Sequence, residues 1–345
     1  MRCLVNAAAD RAAVPPASDA AFGFHTGLDG YAPTPLHDLP ALADELGLRA
    51  VGLKDESNRL GLPAFKVLGA SWAVECALGE QPGVHTLVAA SAGNHGRAVA
   101  HVAARRGLAA RIYLPARSAR ARRDAIAAEG AEIVVVDGDY EDAVRQAAAD
   151  GEEPGFLALS DVGDSGPAHH VIDGYATLFA EVARQGEFDL VLVPTGVGSL
   201  AAAAARFGAE SGAAVIAVEP LTAACLTASL AAGEPVTIDT PGTSMAGLDC
   251  AEVSSAAWPS LRAGIRGALT VSDAETHAAM RELAAAGLEI GDCGAATVAA
   301  LRALATEPAC EELRKAAGVS AATRALLIAT EGPTDPEAYE RVLTE

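Results

Sequence analysis

Short apolar runs rich in β-branched residues alternate along this chain with longer alanine-rich segments of helical period. The strand-like runs fall at 50–56, 85–91, 110–115, 132–137, 156–161, 189–195, 214–220, 267–272 and 324–330. The helix-like segments fall at 66–79, 94–106, 118–129, 140–149, 171–185, 198–211, 273–286, 294–305 and 308–317. A helix between successive strands returns the chain to the same sheet edge, so the sheets should be mainly parallel and covered by helices. Nine strands tend to split between two sheets. The first 35 residues, rich in Ala, Pro and Gly, read as irregular. No heptad, short-period repeat or low-complexity linker interrupts the pattern.

The net charge of -20 argues against nucleic acid, because phosphate binding needs clustered Lys and Arg. The local basic run Arg117–Arg123 has helix-like spacing and reads as a solvated helix face. Six cysteines, Cys3, Cys76, Cys225, Cys250, Cys293 and Cys310, form no CxxC, and no His spacing completes a metal site. Most read as small buried apolar residues in a reducing compartment. The N-terminus lacks a continuous apolar stretch of signal-peptide type, and no run is long enough to span a bilayer. The expectation is a soluble cytoplasmic protein with no membrane partner.

Three strand-to-helix junctions carry chemistry. In Thr195-Gly196-Val197-Gly198-Ser199-Leu200, glycines let the backbone approach an anion at a helix N-terminus. No GK[ST] follows and GxGxxG fails at Ala201, so this is a general phosphate cup or simply a tight turn. In Ser91-Ala92-Gly93-Asn94-His95-Gly96, small residues expose amides that can cradle a substrate carboxylate, and Asn94 can reach a ligand. Asn94 as an N-cap and His95 as a structural histidine are the plainer alternatives. In Pro63-Ala64-Phe65-Lys66-Val67-Leu68-Gly69, a lysine sits among apolar residues at a helix start. Desolvation there lowers basicity, as Schiff-base chemistry needs. A snorkelling surface lysine is the alternative.

Taken in order, LPAFK (62–66), SAGNHG (91–96) and GVGS (196–199) resemble the fold-type II, tryptophan synthase β-like, pyridoxal phosphate enzymes. The chain is most similar to the diaminopropionate ammonia-lyase family. The resemblance runs through YAPTPL (31–36), KDESNRLGLPAFKVLGASWA (54–73), GYATL (174–178), SMAGLDCAEVSSAAW (244–258) and TEGPTDP (330–336). It implies two three-layer α/β/α domains, the larger from residues 1–68 plus 168–345 and the smaller from 69–167.

The resemblance also implies roles. Lys66 would carry pyridoxal 5′-phosphate as a Schiff base and shuttle protons. Gly196, Val197, Gly198 and Ser199 would hold the phosphate, Asn94 the ring oxygen, and Thr330 would face the pyridine nitrogen. Asp161 would take the α-proton of an L-substrate, and Ser91, Ala92, Gly93 and His95 would line the substrate site. The family usually forms homodimers. Ala92 departs from the family, which has there the carboxylate that serves the D-isomer. The family's Glu-Ser-Gly-Ala appears as Asp292-Cys293-Gly294-Ala295, and the loop after Asp161 lacks a Gly-Tyr step. The implied reaction is α,β-elimination from an L-amino acid such as 2,3-diaminopropionate, giving pyruvate and ammonia. A serine/threonine dehydratase, a β-replacement synthase and a non-catalytic amino-acid-binding protein are the alternatives.

Overall fold

The computed structural model describes residues 2–138, 140–160, 163 and 166–344; Met1, Asp139, Asp161, Val162, Asp164, Ser165 and Glu345 lie outside the described residues. The strands in chain order are β1 (Cys3–Val5), β2 (Leu36–Asp38), β3 (Ala50–Asp55), β4 (Thr86–Ala90) and β5 (Ala109–Pro115). They continue with β6 (Glu132–Val136), β7 (Phe156–Ala158), β8 (Leu190–Pro194), β9 (Ala214–Pro220), β10 (Ile265–Val271) and β11 (Arg324–Ala329). The chain divides into two compact units. One comprises Met1–Phe65 and Tyr175–Glu345, the other Lys66–Gly174.

The first unit is built on a seven-stranded sheet in the order β1-β10-β9-β8-β11-β3-β2. The inner pairings are parallel, and the two edge strands β1 and β2 run antiparallel to β10 and β3. Strands β8 and β9 are buried at every residue, which is why they read as continuous apolar runs without alternation. Each edge strand has only three residues, and short edges offer little template for further pairing. Helix Ser199–Ser211 follows β8 and buries Ala201 through Ala205. Alanines let it lie close, and at Gly208 a Cβ would stand 2.5 Å from Val215 Cγ2. Helix Asp273–Ala285 starts on a capping box: Ser272 Oγ accepts from the Glu275 amide, and the Ser272 amide donates to Glu275 Oε2 at 2.8 Å.

The second unit carries a parallel four-stranded sheet in the order β6-β5-β4-β7. Val88, Tyr113, Val136, Ala143 and Ala147 form a core cluster on it. Its helix Lys66–Glu80 is approached closely at Gly174, where a Cβ would lie 2.5 Å from the Leu68 carbonyl oxygen. The fold class is α/β with mainly parallel sheets, as expected. Among the described residues no helix is long and apolar enough to cross a membrane.

The cysteine reading needs correction. Cys3 and Cys310 form a disulfide across a sequence separation of 307, with Cα atoms 5.4 Å apart. Pairing of β1 with β10 delivers Cys3 to the sheet edge, where Arg2 also bonds Glu275 and Glu307 at 2.7 Å each. Cys76, Cys225, Cys250 and Cys293 are thiols. Closing so long a loop restricts the unfolded chain, so Cys3→Ser should lower stability by about 2–4 kcal/mol under oxidising conditions. Thermal melts with and without thiol reductant check this; a reductant-insensitive wild-type melting temperature would contradict it.

Candidate active site

Two candidate junctions lie along one edge of the seven-stranded sheet. Strands β8 and β11 are parallel neighbours, so their carboxyl ends face the same way. Beyond β8, the Thr195 amide donates to the Val218 carbonyl at 2.8 Å, and its hydroxyl donates to the Val193 carbonyl at 3.0 Å. The chain then turns through Gly196, Val197 and Gly198 into helix Ser199–Ser211. Gly198 is the N-cap, at φ +97°, with no side-chain cap on the first turn. A Cβ at Gly196 would lie 2.9 Å from the Gly247 carbonyl oxygen and 2.8 Å from Cys250 Sγ. The turn therefore presents bare backbone and the positive end of a 13-residue helix.

Beyond β11 stands Thr330, 4% exposed, whose Oγ1 is buried without a hydrogen-bond partner among the described residues. An orphan buried hydroxyl costs about 1–3 kcal/mol, a cost a bound acceptor would remove. Glu331 and Gly332 come next. The Phe65 amide donates to the Thr330 carbonyl at 3.2 Å and the Gly332 amide to the Pro63 carbonyl at 3.0 Å. The segment that ends just before Lys66 is thus stitched to the end of β11.

The family profile described as "Pyridoxal-phosphate dependent enzyme" matches residues 28–322. A diaminopropionate ammonia-lyase of Salmonella typhimurium is 34% identical over 93% of this chain and 90% of its own length. The chain belongs to the pyridoxal-phosphate dependent enzymes, in the diaminopropionate ammonia-lyase family. A crystal structure of holo diaminopropionate ammonia lyase from Escherichia coli superposes with a TM-score of 0.88 at 30% identity, covering 99% of this chain and 96% of that one. The same enzyme in complex with D-serine also gives 0.88, at 29% identity, covering 99% and 97%. The biosynthetic L-threonine dehydratase of Escherichia coli is 31% identical over 72% of this chain and 48% of its own length.

The residues of this pyridoxal-phosphate dependent enzyme fit its cofactor. The glycine turn suits a phosphate dianion, and the orphan Thr330 hydroxyl suits a neutral ring nitrogen. Gly198→Asp should weaken cofactor binding roughly 10- to 100-fold, the worth of about 1.5–3 kcal/mol in a hydrogen bond to a charged group. Gly198→Ala, which adds strain at positive φ without charge, should cost less. Equilibrium dialysis checks both; unchanged retention in the Asp variant would place the phosphate elsewhere.

In the second unit, Lys66 opens helix Lys66–Glu80 and is half-buried. Strand β4 leads into Ser91, whose Oγ accepts from the Gly93 amide at 3.2 Å. Gly93, not Asn94, is the N-cap of helix Asn94–Arg106, which removes the capping alternative for Asn94. Ala92 is half-buried beside it. A Cβ at Gly96 would lie 2.1 Å from the Ser91 carbonyl oxygen, so only glycine permits this turn. His95 is 5% exposed, and its Nε2 donates to the Leu159 carbonyl at 3.1 Å. That bond ties the helix start to the residue after β7. Asp161 lies outside the described residues.

Sequence reasoning missed one cluster in this enzyme. Asp292 starts helix Asp292–Thr306 beside Cys293, and Glu331 follows Thr330; one ligating atom from each lies within 4.8 Å of the others. Burial pushes the Asp292 carboxyl up to about 7, with the Glu331 charge adding to it. Burial, then the Glu331 and Asp292 charges, raise the Cys293 thiol well above its usual value. The departure at 292–295 was visible in the sequence, but nothing local pointed from it to Glu331.

Proposed function

We propose that the protein eliminates ammonia from an L-amino acid, with 2,3-diaminopropionate as substrate and pyruvate and ammonia as products. The observation that carries this reading is the pairing of the uncapped glycine turn with the partnerless Thr330 hydroxyl on neighbouring strand ends. When bound, pyridoxal phosphate supplies an electron sink for the pair left behind by the α-proton. The amides of Gly196, Val197 and Gly198, with Ser199, would hold the phosphate. The Thr330 hydroxyl would face the ring nitrogen and could donate to it. By the resemblance, Asn94 would meet the ring oxygen, and the Ser91-Ala92-Gly93 turn with His95 would receive the substrate carboxylate.

Lys66 anchors the cofactor and moves protons at Nζ. Supporting this, the sequence has only three lysines. Lys54 is fully buried against Glu181 at 2.7 Å, and Lys315 pairs with Glu311 at 2.7 Å on a surface helix. Asp161 takes the α-proton from the L-isomer.

The second reading is a serine/threonine dehydratase, favoured by the small Ser91-Ala92-Gly93-Asn94 turn and the kinship with threonine dehydratase. Product analysis with L-2,3-diaminopropionate, L-serine and L-threonine separates the two. Two ammonia per pyruvate, from diaminopropionate alone, supports the first; 2-oxobutanoate formed fastest from threonine supports the second. The reading includes a homodimer acting in the cytoplasm, which sedimentation and fractionation check.

A further inference from the structure

Before Lys66 runs a segment whose conformation is set by an unusual device. Lys54, Glu56, Arg59 and Glu181 are each at most 2% exposed and together carry no net charge. Arg59 Nε donates to Glu56 Oε2 at 2.8 Å and Nη2 to Glu56 Oε1 at 2.6 Å. The same guanidinium grips Glu181 through Nη1 at 2.6 Å and Nη2 at 2.9 Å. Lys54 Nζ donates to Glu181 Oε2, to the Thr34 carbonyl and to Gln185 Oε1 at 2.7, 2.8 and 2.9 Å. Tyr31 donates to Glu181 at 2.8 Å and Thr34 Oγ1 to Glu56 at 2.6 Å. Burial alone would raise the Glu181 carboxyl, but Arg59 and Lys54 outweigh it and hold it below its ordinary range.

Such a network is costly to bury and contributes little stability over an apolar core of the same volume. What it fixes is backbone. Immediately after the clamp, Leu60 and Gly61 take φ +52° and +87°, closed by reciprocal Arg59–Leu62 amide bonds of 2.8 and 3.0 Å. Leucine there costs on the order of 1–2 kcal/mol. At the other end the Glu56 amide bonds the Ala329 carbonyl at 2.8 Å, and Pro63 and Phe65 bond Gly332 and Thr330. Residues 56–65 are therefore held at both ends, and Lys66 follows.

We propose that Arg59 is a positioning residue for Lys66: its clamp on Glu56 and Glu181 sets the segment that fixes where the lysine enters its helix. This rests on the reading of Lys66 as the cofactor lysine. Strain held by surrounding structure next to a reacting group is a recurrent way to preorganise it.

The test uses the double variant Arg59→Met with Glu56→Gln, which removes one cation and one anion and leaves the Lys54–Glu181 pair balanced. Arg59→Lys, which keeps the charge and loses the fork, is the second variant. Three quantities are read: the melting temperature, deuterium exchange of residues 57–65 in the full-length apoprotein, and the rate at which added cofactor becomes borohydride-fixable on Lys66. Exchange in 57–65 should rise while the melting temperature stays near wild type. Fixation should slow by about 10²-fold, the usual effect of a misplacement near 1 Å, with Arg59→Lys intermediate. Wild-type exchange and fixation rates in both variants would overturn the proposal. So would parallel losses of melting temperature and fixation in both, which mark a purely structural role. Wild-type label on a residue other than Lys66 would instead remove the underlying reading, and the proposal with it.

Discussion

Lys66→Ala should yield a folded protein that makes no measurable 2-oxo acid from diaminopropionate. Alanine is a strong helix former, so helix Lys66–Glu80 should start as before. Lost with the amine are the cofactor's covalent anchor and a proton carrier; removing an acid–base group alone costs about 10²–10⁴ in rate. The visible absorbance of the bound cofactor should disappear, and borohydride followed by peptide mapping of the wild type should place the label on Lys66. Label on Lys54 would sink the assignment. Lys54 is chemically occupied: all three of its protons are donated, and although burial lowers its basicity against the opposing pull of Glu181, its amine has no proton left to offer a cofactor. Unaltered turnover in the alanine variant would end the reading outright.

The unmodified enzyme should consume L-2,3-diaminopropionate and turn over the D-isomer slower by about 10²–10⁴, the worth of one missing general base. The argument is the asymmetry between Asp161 and Ala92. On the proposed reading, Ala92 stands where the resemblance implies a carboxylate serving the D-isomer, and alanine can supply no base for that proton. Ala92→Asp should restore part of the D-activity, because it returns a carboxylate to a half-buried position of this turn. Asp161→Asn should remove most L-activity while leaving the cofactor absorbance intact. Stopped-flow measurements with each isomer decide the matter; equal turnover of both by the unmodified protein would refute the one-base argument.

The nine apolar runs correspond to β3 through β11, and those buried at every residue, β8 and β9, read most plainly as continuous apolar stretches. Strands β1 and β2 carry only three residues each, and their existence depends on pairing with β10 and β3. Helices Ala20–Thr26, Pro40–Leu46, Cys225–Ala232, Trp258–Gly264 and Pro336–Thr344 were likewise not legible. All are short, and two begin on proline-containing turns rather than on a side-chain cap. At the site, the legible parts were those in which one local stretch does the work: the glycine turn at 196–198, the Ser91–Gly96 turn, and Lys66 at a helix start. Contacts between distant stretches stayed hidden. The Asp292–Glu331 cluster joins a helix start to a strand end, and Arg59 read as one more polar residue until Glu181 arrived from another helix.

The bond between Cys3 and Cys310 makes a covalent ring of nearly the whole molecule. A protease that cuts once within it, for instance at the exposed turn Gln81-Pro82-Gly83, opens the ring without freeing a fragment. The nicked chain would run as a single species until a thiol reductant splits it in two. Two cuts would be needed to release any piece from between the cysteines, and the lone clip at the sheet edge thereby guards loops on the far side of the chain from it in sequence.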